Sequence, residues 1–419
     1  MPEEILDPSY RALFRVPQLG RVVASMGLAR IGQSMVGVAL VLFALSVYDS
    51  PALAGIVTFA SAVPGLLLAP IAGALLDRHG RVRLVALDYV VAMVSLAVVG
   101  GLAIAGLLPA PLLVLIVGVT SVTGVLSVVG LRTLFPIIVP PPLWERVNAI
   151  DSNGYVVATT IGPPLAASLV AILGAPIALI VIALPFGLAA LALVGLDEPA
   201  IETASTGRLM QDAKEGLRYA WANPTIRGLG FAMSALTLGW GMLTIIIPFV
   251  VLRVLGYGEV VVGFVFGAAG ISGIVSALLI GRLDSRGREW AMLVIPMALM
   301  APVMALVLPA AGVLGGMAPL GGLILLTVMM FVFGLLNGCV DIAMFTVRQR
   351  RTDPAWMGRA FAVSMAFNYM GFPVGAAIAG ILVTLSLPAA IWISVASAVV
   401  AAISAAVLVP PREAVAIRA

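Results

Sequence analysis

Charge is scarce in this sequence, and much of it sits in two short segments of matching design. G-A-L-L-D-R-H-G-R-V-R runs from Gly73 to Arg83, and G-R-L-D-S-R-G-R from Gly281 to Arg288, half the chain later. Gly73 and Gly80 frame Asp77 and Arg78, with Arg81 next; Asp284 and Arg286 hold the corresponding places in the second copy. Carboxylates and guanidinium groups this close can pair, and glycines permit a tight turn between helices. Taken singly, each cluster reads as ordinary loop charge. The repetition and the flanking glycines favour a gating device in two related bundles, and bundles that rock against each other are the physical basis of alternating access. Asp88, about two turns beyond Arg81, is placed to join the first cluster.

Three more charges fall within apolar stretches. Asp341 precedes Arg348 by seven residues on one helical face, which sets it roughly 10 Å inside the helix end. A carboxylate at that depth is costly unless paired, hydrated or protonated. Two readings stay open: an acid neutralised by a neighbouring arginine, and a proton carrier. Arg30 sits at comparable depth and can pair with Asp341 or hold an anionic substrate. Asp151 lies nearer a membrane edge, within reach of Arg132 or Arg146. The single histidine, His79, and single cysteine, Cys339, leave no intrachain disulfide or multi-cysteine metal site. No G-x-x-x-x-G-K phosphate loop occurs, which argues against direct ATP drive. Neither a cofactor nor a metal is expected.

The elements that must position these residues follow from composition. Of 419 residues, 62% are hydrophobic and 10% charged, and the mean hydropathy is +1.17. Apolar surface on that scale must face lipid, and each crossing takes about 20 residues. Twelve segments qualify, near 22–47, 52–76, 84–107, 110–134, 147–173, 175–196, 226–252, 259–281, 290–312, 319–347, 358–385 and 387–409. The polar start, Met1 to Arg21, lacks the apolar core of a cleaved leader. The expected fold is an all-α membrane protein of twelve transmembrane helices in two pseudo-symmetric six-helix bundles. Residues 1–196 form the first bundle, 197–224 a cytoplasmic linker, and 225–419 the second. In the linker, Leu209, Ala213, Leu217 and Trp221 recur every four residues, as on an interfacial helix or a solvated one.

Polarity is shared unevenly among the segments. Segment 4 carries Thr120, Thr123 and Ser127; segment 7 carries Ser234, Thr237 and Thr244; segment 10 carries Asn337, Asp341 and Arg348. Steps of three and four place each set on one face. Segment 1 adds Arg30 and Gln33, whereas segments 6 and 9 have apolar centres. Segments 1, 4, 7 and 10 are therefore predicted to line a cavity, with Trp240, Met242 and Phe345 either supplying its apolar wall or packing. Of the 23 Lys and Arg residues, only Arg253 falls in an outer loop; Arg30 lies within segment 1, and the other 21 cluster at the N-terminus, the even-to-odd loops, the central linker and the C-terminus. The positive-inside rule then sets both termini in the cytoplasm. The net charge of +4 reports topology, not nucleic-acid binding, and 22 Arg against one Lys suggests a GC-rich bacterial coding bias.

At these residues the chain resembles the major facilitator superfamily. Gly73, Asp77, Arg78, Gly80, Arg81 and Arg83 match its signature G-x-L-x-D-R-x-G-R-x-R, and the second copy is a shortened relic. The resemblance implies an ion-pair network that latches the outward-facing state. In segment 5, an exporter signature falls on Ala149, Ala158, Gly162, Pro163, Ala166 and Ala167; Gly-Pro is kept and four glycines are alanines. Small residues still allow close helix approach. Ala29–Ser34, Glu215–Pro224 and Val347–Phe361 resemble the branch of macrolide-efflux proteins, Tap-type drug pumps and the enterobactin exporter. That branch often has an acid where Gln33 stands. It implies proton-coupled efflux of amphipathic drugs or small metabolites from a bacterial cytoplasmic (inner) membrane, with siderophore and lysophospholipid transport as alternatives. The expected partners are a small-molecule substrate, protons and the lipid bilayer, with the protein a monomer. A polytopic enzyme would need an acid/base or metal constellation, and a sensor an added soluble domain.

Overall fold

The computed structural model describes residues 10–140, 143–196, 198, 217–280, 288–352 and 357–411. After a helical turn at Tyr10–Leu13, the helices are α1 (Leu19–Val47), α2 (Pro51–Ala60), α3 (Val63–His79), α4 (Arg81–Ile104), α5 (Ala110–Ile138), α6 (Trp144–Leu173) and α7 (Ala175–Leu193). Then follow α8 (Pro224–Phe249), α9 (Glu259–Ile280), α10 (Glu289–Ala305), α11 (Val307–Ala310), α12 (Pro319–Arg350), α13 (Met357–Leu385) and α14 (Leu387–Leu408). Six prolines begin helices where no amide donor is missed: Pro51, Pro111, Pro176, Pro224, Pro319 and Pro388. Pro64 and Pro309 act differently. Each withdraws the amide that would bond the carbonyl four residues earlier, at Ala60 and Ala305, where α2 and α10 end.

Eleven helical stretches among the described residues are long and apolar enough to cross a membrane. The twelfth expected segment coincides with α6, which has an apolar stretch at Val157–Leu173 among the described residues. Its first half carries Glu145, Arg146, Asn148, Asp151 and Asn153.

Contacts divide the chain into two compact units, one of Met1–Ala39 with Ala60–Gly207 and one of Leu40–Phe59 with Arg208–Ala419. In the first unit α4 packs on α5 and α7, and α3 on α5. The second repeats this scheme six segments later: α10 packs on α12 and α14, and α9 on α12. Its most extensive contact joins α8 to α13. Small residues allow these approaches. A methyl group on Gly338 of α12 would stand 2.6 Å from Ser276 Cβ of α9, and one on Gly375 of α13 would press on the Leu238 backbone of α8. Residues 40–59 join the second unit through a similar crossing, where a methyl on Gly380 would lie 2.6 Å from the Pro51 carbonyl. There Asp49 also pairs with Arg253.

The spans are apolar nearly all round, so the choice between lipid and interior is made by small differences. On α4, Leu87, Val90, Val94 and Val98 are exposed, while Val85, Asp88, Tyr89, Leu96 and Val99 are buried. That division turns Asp88 inward.

Candidate functional site

The first charged signature spans the junction of α3 and α4. Gly80 takes φ +87°, a left-handed value that costs glycine nothing, and so lets α4 begin one residue after α3 ends. Arg81 Nη1 lies 3.2 Å from Glu198 Oε1, and Glu198 Oε2 accepts the Val82 amide at 3.0 Å. A carboxylate suits this place because the first amides of a helix lack partners and carry partial positive charge. Sequence reasoning missed Glu198. Nothing in the sequence ties that acid to an amide 116 residues earlier. Gly73, Asp77 and Arg78 lie on α3, but their side chains are outside the described residues, as are Asp284 and Arg286 altogether. Asp88, expected to join this cluster, lies about 10 Å farther along α4. It is buried against Thr123 and Ser127 of α5.

Arg30 and Asp151 form one site. Arg30 Nη2 is 2.5 Å from Asp151 Oδ1, and Nη1 donates to the Asp151 carbonyl. Side-chain exposures of 15% and 11% make this a largely buried pair. The expectations set Arg30 opposite Asp341 and Asp151 opposite Arg132 or Arg146; the ion pair described joins Arg30 to Asp151. Small residues on α6 bring the two helices together. Gly154 faces the Arg30 guanidinium at 3.6 Å from where a Cβ would stand. Two turns on, a methyl on Gly162 would meet Ser34 Cβ at 2.6 Å. Gly162 and Pro163, the retained part of the exporter-like motif, thus sit at the crossing of α1 and α6. Gln33 is exposed.

The second unit gathers its polar groups on α12. Asn337 Nδ2 donates to Asp341 Oδ2 at 2.9 Å, and no ion pair to Asp341 occurs among the described residues. The arginine seven residues on is turned elsewhere. Arg348 is fully buried and reaches α13: Nη1 meets Met365 Sδ at 3.1 Å. With its amide oriented to satisfy both ends, Asn368 accepts from Nη2 at 2.6 Å and donates to the Ser364 carbonyl at 3.0 Å. The guanidinium also lies 5.8 Å from the Phe345 ring centre. Two turns before Asp341, Phe333 stacks on Trp240 of α8, with centroids 5.1 Å apart and planes 9° from parallel. Phe266 closes the edge at 6.2 Å. Thr237, assigned to the cavity wall, donates instead to the Asn368 carbonyl at 2.6 Å and secures α8 to α13. Thr123 and Ser127 are half-buried and bond carbonyls of their own helix.

Helices of this length and order, a repeated packing scheme and charged residues held at membrane depth are features of one transporter architecture. The profile of the Major Facilitator Superfamily matches residues 22–369. The chain belongs to the Major Facilitator Superfamily. A superfamily relative, the uncharacterized MFS-type transporter y4rN of Sinorhizobium fredii (strain NBRC 101917 / NGR234), is 36% identical over 409 residues, covering 96% of this chain and 97% of the relative. Among solved structures, a mutant of the nucleoside transporter NupG aligns over 94% of this chain and 100% of its own, with TM-score 0.73 and 15% identity. A D-xylose-proton symporter aligns over 93% and 97%, with TM-score 0.71 and 15% identity. These likenesses give the superfamily fold. The protein is a multi-pass membrane transporter of that superfamily.

Proposed function

We propose that this transporter is a secondary active exporter, driven by proton entry and carrying amphipathic drugs or small metabolites. One observation carries the coupling: Asp341 is a half-buried acid on the polar face of α12, held by the neutral Asn337. Its rival Asp151 has Arg30 as a counter-ion. An acid without a fixed cation can gain and lose a proton as its surroundings change. One charge moved through 100 mV supplies about 2.3 kcal/mol, enough to sustain a useful gradient. Trp240, half-buried and stacked on the buried Phe333 two turns away, offers an aromatic face that suits a partly apolar substrate. Efflux as the direction, and the drug-exporter branch, rest on the resemblances at Ala29–Ser34, Glu215–Pro224 and Val347–Phe361. Both termini lie in the cytoplasm, in keeping with the arginine distribution.

The test uses purified protein in liposomes with an imposed pH gradient. Asp341→Asn should abolish uphill movement of a fluorescent amphipathic cation yet retain downhill exchange, and Asp341→Glu should keep part of the coupled activity. Uphill transport by Asp341→Asn would remove Asp341 as the proton carrier.

A further inference from the structure

In the second unit the seam between α8 and α13 opens at one end into a groove that neither the proposed coupling nor the charged signatures use. The two helices touch at Gly371, where a methyl would press on the Ser234 carbonyl. Nearer their first residues they stand farther apart: a methyl on Gly230 would lie 3.6 Å from Phe367 Cβ, which is ordinary contact. The groove between them has a volume of about 480 Å³ and is open on one side. That is within the range of small-molecule sites. It straddles the first turns of the apolar stretches Pro224–Val254 and Ser364–Leu385, and so lies where hydrocarbon gives way to headgroups.

Its walls are aromatic. Trp221, Phe231 and Phe367 line it and are exposed, and the first two meet edge to face with ring centroids 6.0 Å apart. Aromatic residues are common at any membrane edge; the polar groups among them are what make a site. Arg227 lines the groove, steadied by Nη1 donating to the Trp221 carbonyl at 3.1 Å. No ion pair to Arg227 occurs among the described residues, so its other N–H groups can serve an anion. Across the seam Ser364 is 1% exposed, and its Oγ has no hydrogen-bond partner among the described residues. An enclosed hydroxyl left without a partner is destabilising, and the groove it lines is where an acceptor can arrive. A guanidinium suits phosphate oxygens, the hydroxyl suits an ester oxygen, and the rings suit an acyl chain. No acidic side chain lines the groove among the described residues to receive the amine of a zwitterionic headgroup. The charge therefore selects a lipid of net negative charge.

We propose that this groove binds an anionic phospholipid of the surrounding bilayer, with the phosphate on Arg227 and an acyl chain along Trp221, Phe231 and Phe367. The lipid ties the helical turn before α8, where Trp221 stands, to the start of α13. It requires neither the proton coupling proposed at Asp341 nor a direction of transport.

The experiment takes the full-length protein in dodecyl maltoside and adds dioctanoyl phosphatidylglycerol, dioctanoyl phosphatidylcholine or inorganic phosphate. Melting temperature and the lipid retained in native mass spectra are both read. Phosphatidylglycerol should stabilise the wild type saturably and be retained, while phosphatidylcholine and phosphate should do neither. Arg227→Gln should raise the half-saturating concentration about tenfold, the effect of losing one charge-assisted bond, and Phe231→Ala should raise it as well. Ser364→Ala should melt no lower than the wild type without lipid, yet gain less from it. Arg218→Gln, which removes an exposed charge outside the groove lining, should leave the response unchanged. Asp341→Asn should also keep it, so failure of the proton proposal and failure of this one are distinguishable. An equal response to the two lipids would overturn the proposal. So would a phosphatidylglycerol response that survives Arg227→Gln, or one that phosphate alone reproduces.

Discussion

The pairing of Arg30 with Asp151 makes a prediction about single side chains. Removing one partner of a largely buried pair leaves the other charge uncompensated, at a cost of about 3 kcal/mol. Arg30→Met and Asp151→Leu should each lower the melting temperature of the purified protein markedly. The double variant should be more stable than the sum of the two losses implies. Strict additivity in a thermal double-mutant cycle would mean the pair contributes nothing. The sequence showed that Arg30 and Asp151 were unusual, because charges inside apolar segments are few, but did not show which acid each cation meets. Partner choice depends on which helices touch, and the small residues Gly154 and Gly162 that bring α6 to α1 look the same in sequence whichever helix they face. Arg348 teaches the converse. Its seven-residue spacing from Asp341 placed the two on one helical face, yet its guanidinium reaches Asn368 and Met365 of α13.

At the scale of helices, close approach rather than side-chain matching sets the packing. Gly162 has no room for a methyl beside Ser34, while Gly101 of α4 has nothing within 4 Å of that position. Gly162→Ala should therefore push α6 from α1 and destabilise by roughly 1–3 kcal/mol, the usual range for overpacking. Gly101→Ala should be neutral or stabilising by up to about 1 kcal/mol, since alanine is the better helix former. Thermal melts of the two variants decide it, and equal behaviour would refute the crossing. The helices themselves were legible from apolar runs bounded by proline and glycine. The short breaks at Ala60 and Ala305 were marked in the sequence by Pro64 and Pro309, four residues on.

For the molecule as a whole, the repeated packing scheme carries the half-length repeat of the charged signature into three dimensions. It implies that water meets the polar faces of α5 and α12 and not the apolar centre of α7. In a Cys339→Ser background, cysteines at Ser127 and Asn337, both half-buried, should react with a membrane-impermeant thiol reagent in the transporting protein. A cysteine at Ala183, which is 2% exposed, should not. Equal labelling at all three positions would undo the assignment of polar faces to water. The sequence could locate those faces because hydroxyl and amide side chains recur at helical steps. It could not say which hydroxyls were already committed: Thr237 shares the face but ties α8 to α13.

The crossing of Gly55 and Gly380 also has a bearing on how the chain is made. These two residues are 325 positions apart, and a ribosome adding about 5–20 residues per second needs roughly 15–65 s to travel between them. For that interval the newly inserted hairpin around Pro51 has no counterpart to pack on, and its small-residue surface is open to lipid, chaperones and membrane proteases. A chain interrupted before Gly380 never gains that counterpart. Nonsense truncations within α13 should therefore leave the whole nascent product, the early hairpin included, to rapid degradation in cells, as pulse-chase labelling would reveal.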